Sequence, residues 1–193
     1  MDTTALLVMD LQNGIVDRLG DASGPLLDAL ARATTAARAA DVPVIYVRVA
    51  FRSGTPEISP RNRTFSALAS GGGMGEDDPG TQIHPAVAPH PNDVTVTKRR
   101  VSAFSGSDLD VVLSSLHVHS LVLSGIATSG VVLSTLRQAA DLDYDLTVLR
   151  DGCADADAEV HRVLLDKVFP RQAAVVDIDE WTAALADTTD SAR

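Results

Sequence analysis

Two rhythms of apolar residues alternate along this chain. Short apolar runs, among them Ala5 to Met9, Val44 to Val49 and Leu121 to Leu123, have the character of strands buried on both faces of a parallel sheet. Between them apolar positions recur at helical spacing: Leu26, Leu27, Leu30, Ala33 and Ala37, then Leu109, Val112, Leu113 and Leu116, then Val131, Val132, Thr135, Leu136 and Ala139. Strands are also expected at Val94 to Thr97, Asp145 to Leu149 and Ala173 to Val176. This βαβ alternation predicts a mostly parallel, doubly wound sheet of about six strands covered by helices on both faces.

Local punctuation sets the expected boundaries. Pro25 marks the start of the first long helix, and Asp41 with Pro43 stops it. Ser107 caps the helix that begins near Leu109. Gly125 ends the fourth strand, and Thr128 and Ser129 stand where the next helix needs a cap. A later helix buries Val160, Val163, Leu164 and Val168 until Pro170. Trp181 and Leu185 anchor a short terminal helix, and the chain should fray from Thr188 to Arg193. From Phe51 to Asn92 the periodicity is lost, and glycines and prolines collect. Phe51, Phe65, Leu68 and Ile83 favour a packed loop over disorder in this excursion, either a lid over a site or an arm toward another subunit.

Composition narrows the function. The 193 residues suit a single domain, 1–193, and 45% apolar content with a net charge of -10 describes an acidic soluble protein. No basic stripe is present for nucleic acid or an anionic membrane surface; the one close basic cluster is Lys98, Arg99 and Arg100. No run reaches transmembrane length, and the first residues lack the pattern of a signal peptide, so the expected location is the cytoplasm. The single cysteine, Cys153, excludes an internal disulfide, and no Cys/His spacing suggests zinc.

Candidate chemistry lies at strand ends. Asp10 follows the first strand, Lys98 the third, and the turn from Ala127 to Gly130 the fourth. In a doubly wound sheet the carboxyl ends of these strands gather near the point where strand order reverses, which is where ligands bind. A carboxyl and an ammonium group that meet in a partly dry pocket shift each other and can exchange protons with a ligand.

Four motifs, LLVMDLQNG, VTKRRVSAFSGSDL, VLSGIATSGVVLSTLRQAADLDY and TVLRDGCAD, resemble in sequence and order those of the isochorismatase-like hydrolases, also called the cysteine hydrolase superfamily. The resemblance covers nearly the whole chain. It implies a three-layer α/β/α, Rossmann-like sandwich, a small-molecule substrate, and assembly into a dimer or larger homo-oligomer. In amide-hydrolysing members an Asp base, a Lys and a nucleophilic Cys form a triad, and a cis peptide after the glycine shapes the oxyanion hole. Carried over residue by residue, these are Asp10, Lys98 and the Ile126–Ala127 peptide, but the cysteine position, counted from Gly125, is Val131. Nicotinamidase-type members bind metal after the second strand. Here that stretch, YVRVAFRSG, has no carboxylate or imidazole, so no metal is expected. The glycine run GGGMGEDDPG lies outside any strand-to-helix turn, so no nucleotide cofactor is expected either.

Val131 closes the thiolate route. The resemblance implies a second one: true isochorismatases cleave a vinyl ether with the Asp as general acid and need no cysteine. The same Asp and Lys would also persist in a catalytically silent member that binds a small molecule or a protein. A relocated nucleophile, Ser129, Ser134 or Cys153, is the remaining option, although Ser129 reads more simply as a helix cap, Ser134 as helix surface and Cys153 as packing. Asp10 has a plainer reading as a turn cap, and Lys98 as an exposed cation. Gln12 either orients substrate or bridges backbone groups, Arg100 pairs with a substrate carboxylate or makes a salt bridge, and Phe104 packs under the pocket. The five histidines show no ligand spacing and read as non-catalytic, His161 as solvated.

Overall fold

The structure, a computed structural model, describes residues 3–191. In chain order its main elements are β1 (Thr3–Met9), α1 (Asn13–Val16), α2 (Ser23–Ala39), β2 (Val44–Val49), α3 (Arg63–Gly71), β3 (Val94–Lys98), α4 (Leu109–Ser115), β4 (Val118–Ile126), α5 (Leu133–Asp141), β5 (Asp145–Ala154), α6 (Ala158–Val163), β6 (Ala174–Val176) and α7 (Ile178–Ser191). The six strands form one parallel sheet in the order β3-β2-β1-β4-β5-β6. Strand order therefore reverses between β1 and β4.

Alternation within the strands separates two cores. Leu7, Met9, Ile45, Val47, Val96, Leu121, Leu123 and Val148 face α4, α5 and the residues after α6. Their neighbours Leu6, Val8, Tyr46, Val122 and Leu149 face α2 and α7. Central strands buried on both faces are the reason these runs are continuously apolar.

Several boundaries differ from the expectation. Gly125 does not end β4; it lies inside the strand at φ +138°, opposite Met9, where an added Cβ would stand 2.1 Å from the Met9 carbonyl oxygen. The glycine there permits close approach of two strands. β5 continues through Gly152 and Cys153 to Ala154 after a register shift. Val160 is exposed and Val163 half-buried, because α6 opens into a wide turn at Leu164–Val168 that places Leu164 and Leu165 in the core instead. α7 continues through Ser191 where fraying from Thr188 was expected; the last two residues of that expectation, Ala192 and Arg193, lie outside the described residues.

The excursion is packed and partly regular. It contains α3, whose start is capped by Asn62 accepting from the Phe65 N–H at 3.1 Å. Phe65 packs against Phe51 with ring centroids 5.4 Å apart, and Val49, Ile58, Leu68 and Met74 complete a small third core. Only two apolar positions, Phe65 and Leu68, mark the buried face of α3, too few for a period to stand out. Among the described residues no helix is long and apolar enough to cross a membrane.

Candidate active site

Asp10 is placed by a kink at the carboxyl end of β1. Its N–H still joins the ladder, donating to the Val47 carbonyl at 2.7 Å, but its φ of +59° turns the side chain out of the strand's alternation. Aspartate tolerates that left-handed conformation better than most residues. Lys98 continues the face of Val94 and Val96 at the end of β3. β3 is not next to β1, because β2 lies between them. With parallel strands about 4.8 Å apart, the two backbones are about 10 Å from each other. A long lysine and a short aspartate span that gap together.

They meet end to end. Lys98 Nζ lies 2.9 Å from Asp10 Oδ2, and the two side chains are 2% and 8% exposed. Lys98 Nζ also donates to the Arg100 carbonyl at 3.0 Å. Asp10 Oδ1 is buried with no protein hydrogen-bond partner. Burial pushes the Asp10 carboxyl above the ordinary carboxylate value, against the pull of the Lys98 ammonium. One oxygen of this carboxyl is thus anchored by the ammonium and the other is left without a protein partner.

The third strand end contributes a turn. The Ile126–Ala127 peptide is cis, and Thr128–Val132 form a wide helical turn that leads into α5. Val131 is buried in the same core as Met9 and Ala103. Ser129 does not cap the helix with its side chain; the cap position is Ala127, and the Ser129 N–H instead donates to Asp155 Oδ2 at 2.7 Å. Thr128 is fully buried with its hydroxyl 2.8 Å from His161 Nδ1. His161 is therefore not a solvated residue, and burial lowers its pKa from the ordinary value.

Gln12 is almost fully buried and its carboxamide is occupied. Nε2 donates to the carbonyls of Val49 (2.9 Å) and Thr81 (2.7 Å), and Oε1 accepts from the Val49 N–H at 2.9 Å. The side chain thus ties the excursion to the end of β2, the backbone-bridging alternative. Arg100 gives its terminal nitrogens to the carbonyls of Arg99 (2.6 Å) and Glu57 (2.9 Å). Arg99 reaches the Ala50 carbonyl and the carboxylates of Glu76 and Glu57. The basic run KRR is accordingly absorbed within the chain. Phe104 is half-buried on the core and packs against Tyr144 at 6.1 Å between centroids.

Cys153 pairs with Gly125 across β4 and β5 and is buried in the core. Burial pushes its thiol up to about 12, so it is not a thiolate at neutral pH. A cavity of about 220 Å³ opens nearby between α1, α3 and the glycines after it, lined by Gln12, Ile15, Arg18, Leu68 and Met74 among others but not by Asp10 or Lys98. Among the described residues no group of three or more His, Cys, Asp or Glu is arranged to hold a metal ion.

Sequence reasoning missed Asp155 and His161. The run DADAEV announces a helix cap, and Asp157 does cap α6. Nothing in its spacing tells that Asp155 reaches back to residue 129.

The isochorismatase domain model matches residues 4–180. The chain belongs to the isochorismatase family. It is 33% identical over 168 residues to the uncharacterized isochorismatase family protein YwoC of Bacillus subtilis, covering 87% of this chain and 86% of that one. It is 32% identical to the ureidoacrylate amidohydrolase RutB of Pseudomonas syringae pv. syringae, over 95% of this chain and 81% of the relative. An isochorismatase family protein from Burkholderia thailandensis superposes with a TM-score of 0.82 at 30% identity, covering 95% and 96% of the two chains. The family fold of a parallel sheet between helical layers is thus the fold of this chain, and its relatives include hydrolases.

Proposed function

We propose that this isochorismatase-family chain is a hydrolase of a small molecule in which Asp10 is the general acid and base, Lys98 holds its charge, and no cysteine nucleophile takes part. The observation that carries this reading is the buried carboxyl whose Oδ2 is held by Lys98 at 2.9 Å while Oδ1 has no protein partner. Burial raises the Asp10 carboxyl above its ordinary value while the Lys98 ammonium pulls it back, a balance that suits a group which both gives and takes up a proton.

The chemistry that fits is vinyl-ether hydrolysis. Asp10 gives its proton to the terminal enol-ether carbon, leaving an oxocarbenium ion and a carboxylate beside the Lys98 ammonium. Water adds to the cationic carbon and returns a proton to Asp10, and the hemiketal breaks its C–O bond to release a keto acid and an alcohol. This is acid–base catalysis with electrostatic stabilisation and no covalent enzyme intermediate. The turn after Gly125, with Ile126 and Ala127 at its start, would offer backbone groups to developing charge, and Val131, at the position assigned to the family cysteine, would supply only an apolar wall. Phe104, Arg100 and Ser129 are proposed to border the substrate, with Gln12 shaping that edge by holding the excursion. A homo-oligomer in the cytoplasm is the proposed state.

The amidohydrolase relatives favour amide hydrolysis as a second reading. The buried, protonated thiol of Cys153 weighs against it. A panel of isochorismate, ureidoacrylate, nicotinamide and simple amides, run on the native protein and on Asp10→Asn, tests both. Isochorismate turnover that vanishes in the variant is the expected result. Turnover confined to amides would replace the vinyl-ether reading, and tight binding without turnover would make the chain a silent member.

A further inference from the structure

The turn from Ala127 to Val132 draws part of its support from a different part of the chain. Within the turn, Gly130 and Val132 both donate to the Ala127 carbonyl, at 3.0 and 3.3 Å. Further anchors come from the segment after β5. Asp155 accepts from the Ser129 N–H through Oδ2 and from the Asp157 N–H through Oδ1, at 2.7 and 3.2 Å. Asp157 in turn caps α6 by accepting from Glu159 and Val160 at 2.9 and 3.0 Å. Within α6, His161 presents Nδ1 to the Thr128 hydroxyl.

That last contact has a required polarity. A hydroxyl buried away from water must donate its proton or lose a hydrogen bond, and Nδ1 accepts only when the imidazole is neutral with its hydrogen on Nε2. The surroundings favour that form: burial and the Arg150 guanidinium of β5 disfavour the imidazolium, against the opposing carboxylates of Asp155 before α6 and Asp166 in the wide turn after it. Glu159 and Arg162 are its charged neighbours within α6, and the turn it touches has no titratable side chain. The path from this contact to the acid is short. Thr128 lies three residues beyond Gly125, Gly125 pairs with Met9, and Met9 precedes Asp10.

We propose that His161 is a positioning residue for the reaction at Asp10 and Lys98, acting through Thr128 to fix the turn that follows β4, beside the strand end that carries Asp10. This rests on the acid–base reading above. The neutral ring accepts the threonine hydroxyl and holds the turn in register with β1. Protonation turns Nδ1 into a donor, so the contact reverses, the buried hydroxyl loses the acceptor for its own proton, and the turn loosens.

The test uses His161→Asn, His161→Ala and Thr128→Val beside the native protein, with the substrate turned over in the panel and pH profiles from 5 to 8. Asparagine sets a non-titrating carbonyl oxygen close to the place of Nδ1. The His161→Ala and Thr128→Val proteins are expected to lose about tenfold to hundredfold in kcat with KM changed by less than about twofold. The asparagine protein should recover most of that loss and lack the acidic limb that the native profile shows below the ordinary histidine value of 6.5. Unchanged kcat in His161→Ala, no recovery in His161→Asn, or an acidic limb that survives in it would each overturn the proposal. Nitrogen-15 NMR of the ring separates this from failure of the acid–base reading. If no substrate is turned over, an Nε2–H tautomer whose titration moves the amide signals of residues 128 to 131 still supports the contact, whereas an Nδ1–H tautomer at neutral pH refutes it.

Discussion

Substituting one member of the Asp10–Lys98 pair should harm the fold more than substituting both. The pair is almost dry, at 8% and 2% side-chain exposure, and is joined at 2.9 Å. Asp10→Asn leaves an ammonium with only the Arg100 carbonyl and an amide for company. Removing one partner of such a buried pair costs about 3–5 kcal/mol, because the remaining charge is uncompensated, whereas replacing both by groups of similar shape is often neutral or stabilising. For a chain of this size each kcal/mol moves Tm by roughly 2–4 °C. Asp10→Asn should therefore lower Tm by roughly 6–20 °C, while Asp10→Asn with Lys98→Met stays near the native value. Lys98→Met alone should be gentler and pH-dependent. Its Asp10 carboxyl, already pushed above 3.8 by burial, loses the one cation that opposed the shift. In the window above 3.8 the folded state then holds a proton that the unfolded chain has released, so stability falls as pH rises through the window and returns as pH is lowered. Thermal and urea unfolding of the four proteins at two pH values reads the cycle. A double variant destabilised by the sum of the singles, or Asp10→Asn melting within about 2 °C of native, would show that the two charges are not coupled as described.

Gly125→Ala should cost about 3 kcal/mol or more, since it combines a conformation reserved for glycine with a Cβ 2.1 Å from the Met9 carbonyl; a variant melting like the native protein would mean that β1 and β4 can part at no cost. Gln12→Leu strands the Val49 N–H and the carbonyls of Val49 and Thr81, and so should loosen the excursion and raise tryptic cleavage at Arg61 and Arg63 by about tenfold or more; an unchanged digestion rate argues that other contacts hold the segment. Cys153, its thiol pushed up to about 12, should react with a disulfide reagent at pH 8 at least about a hundredfold more slowly in the native than in the urea-unfolded protein, and rapid native labelling would remove the burial argument.

The alternation of short apolar runs with helical stripes was enough, by itself, to determine the layered parallel architecture, the position of β2 to the residue, and the fact that Asp10 and Lys98 close two strands. Those features follow from backbone periodicity and from the burial of central strands, which are written locally. The helix α3 escaped because two apolar residues cannot define a period, and Gly125 was misjudged because its conformation answers to a carbonyl on another strand. Only the tertiary structure decided that Lys98 crosses over β2 to reach Asp10, that the Gln12 amide is consumed by backbone groups 37 and 69 residues away, and that Asp155 and His161 hold the turn after β4. Each of these depends on strand order and register, and strand order is settled by how the two cores fill, not by any spacing along the chain.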